Sequence, residues 1–525
     1  MKRSPLGVLI AISLVGCTVG PNYKPPKFDP GKSFSELPSP ATTQPSVTNA
    51  KAVEITEWWA TFHDPELTAL IQRAAASNLD LRQAESRVRQ ARWSRVIAGS
   101  GLYPEVNSGA GYFGARGSSN VKFNLLPPGT KAGKQAPQSG QNSSGSTGTS
   151  TFQLSPLGGG GLPGVETNIY QAGFDASWEI DVFGGIRRSV EAANGDLEAS
   201  VEDRRSVYVT LLSEVARNYV ELRQYQKQIQ IAQENLNSQK QVLALTQDRF
   251  NAGVTTQLDV SRAAAQVATT AAEIPTLDAL AHQSIHRLSV LMGQNPSALD
   301  EELMKVRAIP GPPEVVPVGL PTDLLRRRPD IRRAERQLAA ATARVGVATA
   351  DLYPKFTLIG TFGFDASKFS HIGDWNSRYW SIGPAISWPI FTAGRIRANI
   401  QVFNESQGQA LTTYEQTVLQ ALEDVEDALV AYSREQTRRQ SLADAVAANH
   451  QSVDLATQQY RQGVVDFLTV LEAERSLYGA QDSLAQSDAQ IASDLVALYK
   501  AMGGGWELSE MANPTGQTGQ ISKAE

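Results

Sequence analysis

The residue whose neighbours spell out a chemistry is Cys17, the only cysteine in 525 residues. Lys2 and Arg3 form a short basic region, Leu6 to Val15 an apolar run, and Leu14-Val15-Gly16-Cys17 follows at once. This is the form of a lipoprotein signal, in which the small residue before the cysteine admits a signal peptidase and the cysteine becomes the acylated N-terminus. The alternative is a buried free thiol behind an ordinary signal, a role that needs no such flanks. Acyl chains on Cys17 would tether the chain to a membrane, and Thr18, rather than Asp, fits sorting to the outer membrane. A single thiol also excludes an intramolecular disulfide framework.

Other arrangements fall short of a site. His282 and His286 share a helix face at i, i+4, but no third metal ligand is evident. Gly109-Ala110-Gly111-Tyr112-Phe113-Gly114 matches a dinucleotide fingerprint by letter without opening a helix after a strand. Arg326, Arg327 and Arg328 read as a brace for the helix before Pro329 rather than a nucleic-acid patch. With net charge -5 and pI near 5.8 there is no large positive field to hold a nucleic-acid backbone. No paired carboxylates, nucleophile motif or phosphate loop stands out. The expectation is a non-enzyme with no metal and no cofactor beyond the lipid on Cys17.

The elements that would carry such a protein are duplicated. Asn78-Leu79-Asp80-Leu81-Arg82-Gln83-Ala84-Glu85 matches Arg328-Pro329-Asp330-Ile331-Arg332-Arg333-Ala334-Glu335, and Leu102-Tyr103-Pro104 matches Leu352-Tyr353-Pro354, both at an offset of 250. Gly253-Val254 matches Gly463-Val464, and Met292-Gly293 matches Met502-Gly503, at an offset of 210. The Gly/Ser-rich stretch 114–165 supplies the difference and reads as a long external loop. The expected organisation is a signal peptide at 1–16, an extended segment at 17–60, a first repeat at 61–293, a linker at 294–320, a second repeat at 321–506 and a disordered tail at 507–525. Each repeat holds a helix ending at Leu-Tyr-Pro, two strands, a very long helix, a glycine turn and a second long helix.

No proline interrupts Val165 to Ile274 or Ile390 to Asn513. The helix from Ile186 to Phe250 would span on the order of 100 Å. Val201, Tyr208, Val215, Leu222, Ile229, Leu236, Leu243 and Phe250 recur every seventh residue along it, as in a left-handed coiled coil. In the second repeat Val418, Val425, Tyr432, Val446, Val453, Tyr460 and Phe467 echo this, interrupted by Arg439. Asn218, Ala232, Gln239 and Thr246 weaken the companion seam, so the stripe suits helices side by side in a wall wetted on both faces. The strands alternate instead: Tyr170, Ala172, Phe174, Ala176, Trp178 and Ile180 on one face, Gln171, Gly173, Asp175, Ser177 and Glu179 on the other. That is the pattern of a transmembrane barrel, or of a half-buried soluble sheet. No stretch after residue 17 has the roughly 20 apolar residues of a membrane-spanning helix, so strands must do any spanning. Four strands per chain, near 106–114, 170–183, 355–365 and 379–391, cannot close a barrel alone, so an oligomer is required.

Gly16-Cys17-Thr18-Val19-Gly20-Pro21-Asn22-Tyr23, Leu324-Leu325-Arg326-Arg327-Arg328-Pro329-Asp330-Ile331, the two Leu-Tyr-Pro triplets, Tyr460-Arg461-Gln462-Gly463 and Met502-Gly503-Gly504-Gly505-Trp506 together resemble the TolC-like outer membrane factors of tripartite efflux systems, in particular their lipoprotein branch. The resemblance runs from Cys17 to Trp506; the long Gly/Ser-rich insertion is its main departure. It implies an α+β membrane protein: a homotrimer with a 12-stranded β-barrel in outer-membrane lipid and a 12-helix α-barrel in the periplasm. It also implies a periplasmic adaptor protein and an inner-membrane pump, of the proton-driven resistance-nodulation-division type, as partners. The turns at Gly253-Val254 and Gly463-Val464 would meet the adaptor. By motif position Leu468 would plug a periplasmic gate, with Glu472 and Arg475 as an ion pair or polar ring and Asp466 nearby. The plain alternative for Glu472 and Arg475 is an exposed helical pair at i, i+3. The function expected is a passive exit duct. A type I protein-secretion duct and a non-conducting structural lipoprotein are the alternatives.

Overall fold

A computed structural model describes residues 18–28, 31, 34, 47–49, 56–116, 166–313, 315–318 and 321–507. Cys17, most of the expected external loop (117–165) and the tail from 508 lie outside the described residues. In chain order come β1 (Val47–Asn49), a 3-10 turn (Trp58–Phe62), α1 (Pro65–Ser77), α2 (Leu79–Ser100), β2 (Glu105–Arg116), β3 (Glu166–Ile180), α3 (Gly185–Asn251) and α4 (Gln257–Leu291). A four-residue helix α5 (Asp300–Leu303) and β4 (Val315–Pro317) lead to α6 (Pro321–Arg327), α7 (Pro329–Ala350), β5 (Lys355–Ala366), β6 (Arg378–Ser387), α8 (Arg395–Gln462) and α9 (Phe467–Ala501). The protein is mostly helical with one four-stranded sheet, and among the described residues no helix is long and apolar enough to cross a membrane. The chain divides into two compact units, residues 1–23, 93–194 and 340–407, and residues 24–92, 195–339 and 408–525.

The first unit holds the sheet, in the order β2-β3-β5-β6 with every neighbour antiparallel. Two expected strand ends are corrected. β6 stops at Ser387 rather than 391, because Pro389 cannot donate to a ladder. β3 stops at Ile180 rather than 183, where Asp181 turns to accept hydrogen bonds from the amides of Ile186 and Arg187 at the start of α3 (3.2 and 2.9 Å). The duplication is visible in matched bonds: the Trp178 indole donates to the Leu102 carbonyl (3.0 Å), and the Trp388 indole donates to the Leu352 carbonyl (3.1 Å). Residues 18–22 are sutured to the β3–α3 junction. The Val19 amide donates to the Phe183 carbonyl (3.1 Å), and buried Arg188 donates to the Val19 carbonyl (3.1 Å) and Asn22 Oδ1 (2.6 Å).

In the second unit Trp58, Leu67, Leu212, Tyr219, Leu288 and Tyr499 belong to the main core, with Trp58 stacked on Tyr499 at 5.3 Å. The seven-residue stripe of α3 is buried at Tyr208, Val215 and Leu222 and half-buried from Ile229 to Phe250. The companion seam differs from expectation, since Asn218, Ala232, Gln239 and Thr246 are themselves buried. Burial is tolerable for two of the polar ones because Asn218 and Thr246 donate to carbonyls four residues back, Glu214 (2.7 Å) and Val242 (2.8 Å). The N-terminal segment, expected as extended chain, and the inter-repeat linker pair as β1 and β4 in a two-stranded parallel sheet. Of the three consecutive arginines, Arg328 is the brace. It forks onto Asp330 (3.1 and 2.7 Å), reaches Asp424 (2.9 Å) and donates to the Ala501 carbonyl (2.9 Å), tying the α6–α7 break to α8 and the end of α9.

Candidate functional site

The two long hairpins turn by the same means. Gly253 and Gly463 take φ of +74° and +77°, which an L side chain resists. The following amides, of Val254 and Val464, donate back to the carbonyls of Arg249 (2.8 Å) and Gln459 (2.9 Å), so each helix end is closed by a Schellman-type cap. This leaves Val254 and Val464 exposed at the tips, at 61% and 69%. The next helices start on side-chain caps. Thr256 and Asp259 form a capping box on α4, and Asp466 accepts from the Thr469 amide (3.1 Å) and hydroxyl (2.7 Å) on α9. Those bonds hold the Asp466 carboxyl below its ordinary range, as the Thr255 hydroxyl does for Asp259.

Along the first turns of α9, Phe467, Val470, Leu471, Glu474 and Leu477 are buried while Leu468, Glu472 and Arg475 are exposed. The i, i+4, i+7 spacing therefore sets the three expected gate residues on one face. Asp466 stands apart from them as the helix cap. Glu472 and Arg475 do not pair within the chain. Arg475 donates instead across to Gln266 on α4 (2.7 Å), and among the described residues no cation meets Glu472. His282 is engaged locally, its Nδ1 donating to the Asp278 carbonyl (2.9 Å), and no group of three or more metal-ligating side chains gathers among the described residues.

Two features of the tips escaped sequence reasoning. Arg249, in the last turn of α3, lies over the Tyr460 ring (4.6 Å) and donates to the Tyr460 carbonyl (2.9 Å), joining the tips of the two hairpins. Its signal was its position one turn before Gly253. Glu474 lies seven residues after Phe467 on the packed face of α9; it is 5% exposed, with Oε1 unpartnered. Burial pushes its carboxyl up to about 7. Raised from the ordinary 4.5, such a group costs nothing below the ordinary value, costs more as pH rises through the interval, and costs most above 7. Glu474→Gln should therefore stabilise the fold by about 3 kcal/mol at pH 8 and by almost nothing near pH 4. Thermal melts of both proteins across that range check it, and a gain equal at both pH values would show that charge burial is not the cause.

In the sheet, register fixes two unlike faces. Phe174 pairs with Phe362, which pairs with Trp380, and Trp178 pairs with Leu358 on the same side. Trp380, Ile382 and Ile386 are about two-thirds exposed. The other side carries Asn107, Gln171, Asp175, Thr361, Tyr379 and Ser381, linked by Gln171–Tyr379 (2.9 Å) and Thr361–Ser381 (2.8 Å). Gly109 to Gly114, the fingerprint by letter, is part of β2 and opens no helix. At Gly363 a Cβ would stand 2.7 Å from the Tyr379 hydroxyl and from the Ala172 carbonyl, so only glycine admits the tyrosine there. Among the described residues the outer edges of β2 and β6 have no strand partner.

The outer membrane efflux protein family matches residues 70–294 and 320–504. Nodulation protein T of Rhizobium leguminosarum bv. trifolii is 31% identical over 510 residues, covering 97% of each chain. The pyoverdine export outer membrane protein OpmQ of Pseudomonas putida is 34% identical over 498 residues, covering 95% of this chain and 96% of that one. Among solved structures, the outer-membrane channel OprN superposes with a TM-score of 0.79 at 36% identity, over 94% of this chain and all of that one. With its repeats, hairpins and two-faced sheet matched along nearly its whole length, the chain belongs to the outer membrane efflux protein family.

Proposed function

We propose that three copies of this chain form the exit duct of a tripartite efflux pump, passing small molecules out through the outer membrane without chemistry of their own. The observation that carries this reading is the sheet: four strands with one apolar exposed face, one polar face and two edges that, among the described residues, have no strand partner. An open edge is not tolerated in lipid, so pairing β6 of one copy with β2 of the next closes a 12-stranded barrel. The ten residues of β6 span roughly 33 Å at 3.3 Å each, enough for an apolar band about 25 Å tall. The long hairpins would continue as a 12-helix barrel in the periplasm, and acyl chains on Cys17 would anchor the base. The exposed turns at Val254 and Val464 are the surface offered to a periplasmic adaptor, which would join the duct to a proton-driven inner-membrane pump. Export by relatives named for pyoverdine and toluene favours small-molecule cargo. Leu468 and Glu472, on the exposed face of α9, would narrow the periplasmic end. Single-channel recording in planar bilayers tests the reading: a closed trimer with a continuous lumen carries ion current, and a non-conducting anchor carries none.

A further inference from the structure

The side-chain rows of the apolar sheet face finish differently at its two ends. At the end nearer the helices they finish on Val106, Ile180, Phe356 and Ile386, none of them charged. At the far end the row of β2 finishes on Arg116, and that of β6 on Arg378, which pairs with Phe364 on the side of Trp380. Lys368 stands two residues beyond Ala366, the last residue of the β5 row, with its backbone still extended (φ -128°, ψ 139°). Three of the four strands thus lead to a cation at one rim.

The carboxylates of this rim answer only one of those cations. Glu166, at the same end of β3, pairs with Arg116 (3.5 Å). Asp374 bonds His371 Nδ1 (2.7 Å), and Asp365 pairs in register with Gln171 on the polar face. Among the described residues no carboxylate meets Lys368 or Arg378. The segment between β5 and β6 is shaped by its own turns: the amides of His371, Asp374 and Ser377 donate to the carbonyls of Lys368 (3.1 Å), His371 (3.1 Å) and Asp374 (2.9 Å). It presents Phe369 and Trp375, 70% and 66% exposed. Phe369 meets the Tyr170 ring edge-on (5.7 Å), and the Arg378 guanidinium lies over the Trp375 ring (4.5 Å). Exposed rings at the end of an apolar band sit at the headgroup level of a membrane, so the cations beside them stand among headgroups.

We propose that Lys368 and Arg378 bind the phosphates of a phosphorylated glycolipid in the outer leaflet, with Phe369 and Trp375 at its headgroup level. The inference rests on the duct reading, since a barrel in the outer membrane is what brings this rim to that leaflet. Pairing between copies would use the strand edges and leave the apolar face to lipid. Ammonium and guanidinium groups both attract phosphate. Arg378 gives one donor to the Trp375 carbonyl (2.7 Å) and keeps others for a ligand.

Lipid retention by the detergent-purified full chain tests this. Bisphosphorylated lipid A and its dephosphorylated form are offered together in equal amounts, and the lipid that stays bound is counted by native mass spectrometry. At about fivefold for each cation near a headgroup charge, the unaltered protein should prefer the phosphorylated form about 25-fold. Lys368→Gln with Arg378→Gln should bring the two lipids to near parity. Lys368→Arg with Arg378→Lys, which keeps both charges, should restore most of the preference. A preference unchanged in the glutamine variant, or absent from the unaltered protein, would overturn the assignment. Loss of the preference on adding inorganic phosphate at constant ionic strength would overturn it too, because the rim would then be a site for free anions. Single-channel current from the same samples separates the two readings. Protein that conducts without the preference leaves the duct standing and removes the lipid site, whereas protein that neither conducts nor prefers removes both.

Discussion

Arg328→Ala is expected to cost about 3 kcal/mol of stability, the lower end for breaking a buried ion pair. The guanidinium is 10% exposed and serves both oxygens of Asp330, Asp424 and the Ala501 carbonyl. Removing it leaves Asp330 uncompensated and a carbonyl at the end of α9 unpaired. The lower end applies because Asp330 and Asp424 remain 27% and 54% exposed and regain some water. Arg328→Lys should recover little, since an ammonium cannot fork onto one carboxylate while donating to a carbonyl on another helix. Denaturant unfolding of detergent-solubilised protein measures the loss. A change within 0.5 kcal/mol or so, typical of surface positions, would mean that the arginine braces nothing.

Phe174→Arg should prevent insertion into the outer membrane, whereas Thr361→Arg should insert normally and shift ion selectivity toward anions. Phe174 stands at mid-strand on the apolar face, paired with Phe362; Thr361 is one residue from Phe362, on the face with Ser381 and Tyr379. An arginine at the bilayer midplane costs about 2–4 kcal/mol per copy, and a trimer would carry three. On the polar face, which lines the lumen in the proposed duct, the same charge would remain in water and alter only the permeating ions. Membrane fractionation measures insertion, and reversal potentials under a salt gradient measure selectivity. Tolerance of arginine at 174 with exclusion at 361 would invert the assigned faces.

The features legible in the sequence were those written in a sustained period. Seven-residue spacing from Val201 to Phe250 and the lack of proline marked α3, expected from Ile186 to Phe250 and found at Gly185–Asn251, and the strands expected near 106–114 and 355–365 match β2 and β5 within two residues. The turns at Gly253 and Gly463 were legible because positive φ leaves few residue choices. What escaped depended on partners far away in the chain. β1 and β4 are three residues each and pair across more than 260 positions, too short for any period. Arg188 gives no hint that it holds residues 18–22, and Glu474 looks like any helical glutamate until the packed face of α9 is known. Asp466, expected near the gate, serves as the cap of α9, a role that Asp followed three residues later by Thr does not advertise. Glu472 and Arg475 illustrate the limit of spacing alone: i, i+3 permits a pair, but the Gln266 side chain across the seam takes the arginine.

The most direct test of the exit duct is the single-channel current of the purified protein in planar bilayers, recorded for the unaltered chain and for Leu468→Ser with Glu472→Ala. Leu468 is 39% exposed and shares a face with Glu472 at i, i+4, so removing both clears three copies of the narrowest expected ring. A small or intermittent current from the unaltered protein and a large sustained one from the double variant is the predicted result. No current from either, with insertion demonstrated, would contradict the duct.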